Sequence, residues 1–143
     1  MKSTLRQLLS DVTPPLIGLT SLAAGADQLF AEVVLERGGT LEVVLPFAQY
    51  EEMLSPPDSQ RFATLHRQSS VEHLLEQDPI DDDARLAAFI EAGKRVVDLS
   101  DRLFAVLEGR ERSVTDKVVA YARELGRPVT ILDARRREVL GDV

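Results

Sequence analysis

At 143 residues the chain has the length of one domain and enough sequence to bury a sizeable core. Its 24 acidic against 17 basic residues give a formal charge of −7, which disfavours a polyanion such as DNA or RNA as partner but leaves room for a small nucleotide. There is no cysteine for a disulfide, a thiolate or a cysteine zinc site, and 2 histidines are too few for a histidine-rich metal cluster. No apolar run approaches the roughly 20 residues of a bilayer span, and Met1–Arg6 lacks the apolar core of a secretory leader, so no membrane partner and a cytoplasmic location are expected.

Residues 3–11 read as a short helix with Leu5, Leu8 and Leu9 on one face and Ser3 as N-cap, ended by Pro14-Pro15. A strand follows over 15–20, then a helix over 25–37 that stops at Gly38-Gly39. Leu41–Leu45 is the second strand, closed by Pro46. Residues 48–60 carry Pro56-Pro57 and several polar residues, so they read as an irregular excursion with a short helical piece, and Asp58 caps a helix over 59–68. Ser70–Leu75 is a strand candidate. The acidic run Asp78–Asp83 opens a long helix ending near Leu99, and Arg102–Leu107 is a strand because Leu103–Leu107 is an unbroken apolar run. A helix over 114–125 carries Val114, Val118, Val119, Ala122 and Leu125 at helical period and stops at Gly126. Pro128–Leu132 is the last strand, and Ala134–Val143 reads as a charged tail, a frayed helix.

Strands alternate with helices, and the strands are continuous apolar runs rather than alternating ones, the mark of burial on both faces. The expected fold is α/β: a three-layer, Rossmann-like parallel sheet of about five strands with helices on both faces. It forms a single domain over 1–133, with 134–143 as tail. Ligands of such sheets bind beyond the carboxyl ends of the strands. Those ends are Thr20-Ser21, Pro46-Phe47 and Glu108-Gly109, which are expected to meet at one crevice.

The turn Thr20-Ser21-Leu22-Ala23-Ala24-Gly25-Ala26-Asp27 leads from the first strand into a helix carrying Leu29, Phe30, Val33, Val34 and Leu35. Small residues at a helix N-terminus leave unpaired amides facing one point, and the helix dipole adds positive charge there. That is the physics of a phosphate cradle, although ordinary strand-to-helix turns use the same residue types.

The segments Ser21–Gln28, Val43–Phe47, Ala92–Asp101, Leu103–Val106 and Val118–Arg123 resemble the SLOG superfamily, which includes DprA-like proteins and the LOG family. The resemblance covers about 15–132. It implies a Rossmann-like fold and, as ligand, a nucleotide or nucleotide derivative in a bacterial signalling or defence setting, with a homodimer as the assembly. Relatives begin with an extra strand ending in a Gly-His-Arg or Gly-Ser-Arg turn; this chain begins at the helix that follows it, so either the sheet closes without that strand or the chain is a truncated or divergent form. Relatives also carry a Gly-Gly-Thr loop after the fourth strand. Here the stretch is Gly109-Arg110-Glu111-Arg112-Ser113-Val114-Thr115-Asp116, which keeps the threonine but offers arginines in place of the paired glycines. The resemblance thus implies a ligand held by Thr20, Ser21, Leu22, Ala24, Gly25, Asp27 and Pro46 on one lip. Glu108, Gly109, Arg110, Ser113 and Thr115 form the other.

The LOG hydrolases use an arginine and a glutamate, and alignment places Ala92 and Val118 at those positions, so no catalytic residue is assigned. The alternatives are a LOG-like phosphoribohydrolase or N-glycosidase, for which Glu108 is the carboxylate to test, and a degenerate domain that serves for oligomerisation.

Several candidates carry a structural reading beside the functional one. Asp27 either orients a ribose hydroxyl or stabilises its own helix turn, with the structural role preferred. Ser113 and Thr115 either bind ligand or cap the following helix. Asp101 reads as a turn residue and Lys117 as solvent-facing. The Asp78–Asp83 cluster lacks EF-hand spacing and reads as helix capping, so no metal is assigned. His66 and His73 read as surface residues, Arg135–Arg137 as a solvated run, and Phe89 and Tyr121 as packing residues.

Overall fold

Helix α1 (Lys2–Leu9) is followed by strand β1 (Ile17–Thr20), α2 (Ala26–Glu36), β2 (Thr40–Leu45), a short 3-10 helix (Tyr50–Met53), α3 (Pro56–Arg67) and β3 (Val71–Leu74). Then come α4 (Asp82–Asp98), β4 (Leu103–Leu107), α5 (Arg112–Glu124), β5 (Val129–Asp133) and β6 (Glu138–Asp142). The computed structural model describes residues 1–107, 112–133 and 138–142, with 112–113 and 138–142 described by their backbone alone. The chain divides into two compact units, Met1–Asp78 and Pro79–Val143, each with its own three-stranded sheet.

The α/β class read from the sequence is the fold: parallel strands alternating with helices. The single sheet of about five strands is instead two sheets, ordered β1-β2-β3 and β4-β5-β6. Strand pairing is non-local, and an apolar run specifies that a strand is buried without specifying its neighbour.

In the first unit β2 lies between two parallel neighbours, Gly18 opposite Leu41 on one side and Val43 opposite Glu72 on the other. Leu41, Val43 and Val44 are fully buried, as the continuous run predicts. The edge strands are different: Ile17, Val71 and Leu74 are exposed. Helix α2 packs on β1 and β2 and beside α1 and α3. Gly18 permits its close approach, since a Cβ there would stand 2.7 Å from Val34 Cγ2.

Helix α1 is fixed to α2 by Leu5 and Leu9, each 2% exposed, and by ion pairs of Lys2 with Glu32 (2.8 Å) and Glu36 (3.0 Å) and of Arg6 with Glu36 (2.9 Å). It starts at Lys2, so Ser3 lies inside it rather than at its N-cap.

Helix α3 begins at Pro56, three residues before the expected start. Pro56-Pro57 occupy the first helical positions, where a missing N–H costs nothing, so the prolines start the helix rather than break the chain. Asp58 is therefore in the first turn, where it accepts from Ser55 Oγ (2.8 Å), and Ser55 is the N-cap residue. Edge-on contacts of Tyr50 with Phe47 (6.0 Å) and Phe62 (6.1 Å) lock the 3-10 helix against α3.

In the second unit, the acidic run does what its composition predicts: Asp81 caps α4, its Oδ1 accepting from the Ala84 amide at 2.7 Å. Strands β4 and β5 are parallel, in register from Leu103 opposite Val129 to Leu107 opposite Asp133. Their core joins Val97, Leu103, Ala105, Val118, Val119, Ala122 and Val129, with Tyr121 packed against it.

The tail expected as a frayed helix contains a strand. Glu138–Asp142 pairs antiparallel with β5, with an irregularity at Ile131/Leu132. The free edge of β5 offers a ladder of backbone groups that a short charged segment completes without an apolar signature of its own.

Candidate functional site

The turn between β1 and α2 is built by two unusual backbone conformations. Leu22 is left-handed (φ 57°) and its side chain is fully buried, so the strained backbone is held in place by packing. Gly25, the residue before α2, sits at φ 90°, ψ −122°, a region open to glycine.

Inside the turn, most donors are already satisfied. The Thr20 hydroxyl accepts from the Leu22 amide (3.1 Å), and the Ala23 amide donates to Asp27 Oδ2 (3.3 Å). The Thr20 side chain and the Ser21 amide also favour the charged form of the Asp27 carboxylate. Burial pushes the Asp27 carboxyl above its ordinary value, and Thr20 with the Ala23 and Ser21 amides offsets only part of that rise. The Asp27 carboxylate thus bends back over the turn that precedes it.

The outer donors are open. The amides of Ala24, Gly25, Ala26, Asp27 and Gln28 have no acceptor among the described residues, as befits the first turn of a helix. Ala24 and Gly25 are exposed, so their amides lie under little side-chain bulk, while Ala26 and Gln28 are buried. Two chemical zones result: an inner zone whose Leu22 and Ala23 amides are held by Thr20 and Asp27, and an outer zone of N–H groups without an acceptor at the positive end of α2.

Gln28 was quoted in the sequence without a role, and the structure gives it one. It is 1% exposed; its Nε2 donates to Leu22 O (3.2 Å) and Asp58 O (3.1 Å), tying the turn to α3, while its Oε1 has no hydrogen-bond partner. A signal was available: Gln28 precedes Ala31 and Val34 by three and six residues, placing a polar side chain on the buried stripe of the helix.

The structure thus brings Thr20, Ser21, Leu22, Ala24, Gly25 and Asp27 into one turn, with Leu22 contributing its backbone. Pro46 is buried directly after β2, the strand adjoining β1. Glu108, Gly109 and Arg110 lie outside the described residues. Ser113 and Thr115 belong to the second unit, within the first turn of α5. Because α5 already starts at Arg112, neither residue is its N-cap. Thr115 is half-buried, and Lys117 is exposed.

The positions aligned with the LOG arginine and glutamate are structural here. Ala92 is 2% and Val118 9% exposed, and Val118 meets Gly93 across the α4–α5 contact. The histidines are engaged at the sheet: His66 with Glu72 (2.7 Å) and His73 with Glu42 (2.8 Å). No group of three or more metal-ligating side chains occurs among the described residues. Among those residues, too, no helix is long and apolar enough to cross a membrane.

An open groove of about 700 Å³ lies elsewhere, against the second half of α2, lined by Lys2, Glu32, Glu36, Arg61 and Thr64 among others. Its acidic walls are already paired with Lys2 and Arg6. Its chemistry is that of a solvated helix junction rather than of a ligand cradle. No protein-family model matches the chain, and no curated protein matches it in sequence.

Proposed function

We propose that the first unit binds a nucleotide or nucleotide-derived small ligand at the carboxyl edge of its parallel sheet, with the phosphate over the amides of Ala24, Gly25 and Ala26. The observation that carries this is the run of uncommitted amides at the positive end of α2, beneath side chains no larger than methyl at Ala24 and Gly25. The resemblance of Ser21–Gln28 and the neighbouring segments to the SLOG superfamily supports the same ligand class and a role in bacterial sensing or defence. The reading is one of binding rather than catalysis, because the positions aligned with the hydrolase pair hold the buried apolar residues Ala92 and Val118.

Thermal unfolding against a panel of nucleotides, ADP-ribose derivatives and cyclic nucleotides tests this. At a ligand concentration 100 times Kd the folded state gains about 2.7 kcal/mol, a shift of several degrees for a chain of this size. Ala24→Glu, which lays a carboxylate over the outer amides from an exposed position, abolishes the shift. A panel in which no member raises the midpoint at millimolar concentration overturns the proposal.

One observation favours a second reading, a domain that has lost its ligand and serves for oligomerisation: the Ala23 amide is bound by the chain's own carboxylate. A silent panel together with a concentration-dependent dimer mass by light scattering selects it.

A further inference from the structure

We infer that Asp27 is the resident anion of the β1–α2 turn: its carboxylate holds the place a phosphate oxygen would take on the inner amides, and so excludes anions from them. The geometry is that of a bound anion. The carboxylate receives the Ala23 amide (Oδ2, 3.3 Å), and the Thr20 side chain and the Ser21 amide favour its charged form, the donor types that a strand-to-helix turn offers a phosphate. Thr20 is 5% exposed and its hydroxyl accepts from the Leu22 amide.

A second observation, independent of Asp27, points the same way. Gln28 lies against the turn with its Nε2 held by Leu22 O and Asp58 O, and its buried Oε1 has no donor. Such an acceptor calls for a donor group and repels an anion. The two side chains therefore leave the inner turn furnished with acceptors. Anions are confined to the outer amides of Ala24 to Gln28, and a ligand group that approaches Asp27 does so as a hydrogen-bond donor.

This role deepens the nucleotide reading, and inorganic phosphate separates the two. The nucleotide panel can fail while Asp27 still excludes phosphate, and the converse holds as well. The experiment measures thermal midpoints of wild type, Asp27→Ala and Asp27→Asn in potassium phosphate against potassium chloride of equal ionic strength. Asp27→Ala removes both the charge and the volume, leaving two amides and a hydroxyl for an added anion. Its apparent phosphate affinity rises about tenfold or more over wild type, the scale expected when an adjacent like charge is removed. Asp27→Asn removes the charge but keeps the volume, and gains less than Asp27→Ala while still exceeding wild type. Equal phosphate responses in wild type and Asp27→Ala overturn the inference. So does a gain in Asp27→Asn as large as that in Asp27→Ala, which would make the effect one of distant charge rather than occupancy. If Asp27→Ala folds only in phosphate, the inference is supported directly. If it folds in neither salt, the comparison of Asp27→Asn with wild type decides, and no gain there refutes it.

Discussion

Replacing Gly93 by alanine sets two effects of known size against each other. Gly93 lies inside α4, and a glycine in a helix interior costs about 1 kcal/mol relative to alanine. On propensity alone, Gly93→Ala stabilises. The structure predicts the reverse. An alanine Cβ would stand 2.3 Å from Val118 Cγ2, with Cγ1 at 3.3 Å and Cβ at 3.4 Å. The first distance is inside any tolerable contact. Val118 has little room to move: it sits in a helix, where a β-branched side chain has one strongly preferred rotamer, and in the core with Val97, Val119 and Ala122. Relief requires α4 and α5 to separate, and overpacking of this kind costs about 1–3 kcal/mol. The net expectation is a loss of about 1 kcal/mol.

Urea unfolding midpoints measure this, and a second substitution isolates the cause. Val118→Ala removes both γ-methyls and costs about 1.5–3 kcal/mol through lost burial and the cavity left behind. In the double variant the new Cβ meets Val118's own Cβ position at 3.4 Å, an ordinary contact, and fills part of the cavity. Gly93→Ala then turns from destabilising to stabilising, a coupling of about 1–3 kcal/mol between the sites. If Gly93→Ala alone raises the midpoint, or if the two changes are additive, the contact does not constrain the helices and the reasoning fails.

Two further outcomes follow from named contacts. Arg6 and Lys2 hold the Glu36 carboxyl at about 2, against its ordinary 4.5. Its contribution is therefore complete above pH 4.5 and is lost as pH falls through about 2, so the wild-type thermal midpoint falls across that window. Glu36→Gln is indifferent to that titration and shows a shallower fall; an unchanged slope refutes the assignment. Asp81→Ala leaves the Ala84 amide without its acceptor and costs about 0.5–2 kcal/mol, while Asp81→Ser retains most of the stability, both read from urea midpoints. Equal losses in the two variants would place the effect in the charge rather than in the cap.

The parts of the fold legible in the sequence are those set by local chemistry. The run Leu41–Leu45 announced a strand buried on both faces because its residues need no partner to be apolar. Gly38 and Gly126, both at positive φ, ended the helices before them because that conformation favours glycine. Asp81 was legible as part of an acidic helix start. What the sequence did not disclose is non-local. The division into two sheets depends on which strand edges meet, and no residue of β3 or β4 encodes its neighbour by type. Strand β6 borrows its order from the edge of β5. The start of α3 was not legible because proline has two opposite effects: it breaks a helix in its interior but opens one at the first turn, where Pro56-Pro57 stand.

The β1–α2 turn was legible as a place and not as a state, for a reason that lies in the chemistry itself. A small-residue turn followed by an aspartate early in the helix is the pattern of a ligand cradle and equally that of a self-stabilised helix start, because both satisfy the same amides with an anion. Residue types give the donors and the carboxylate; only the backbone conformations of Leu22 and Gly25 decide whether the two meet. Here they do, on the Ala23 amide, and from the next residue on the amides of Ala24 to Gln28 have no acceptor among the described residues. The same carboxylate therefore serves both readings of the turn. It satisfies the Ala23 amide next to the left-handed Leu22, which packing holds in the core, and on the proposed reading it leaves an incoming phosphate the amides further along the turn.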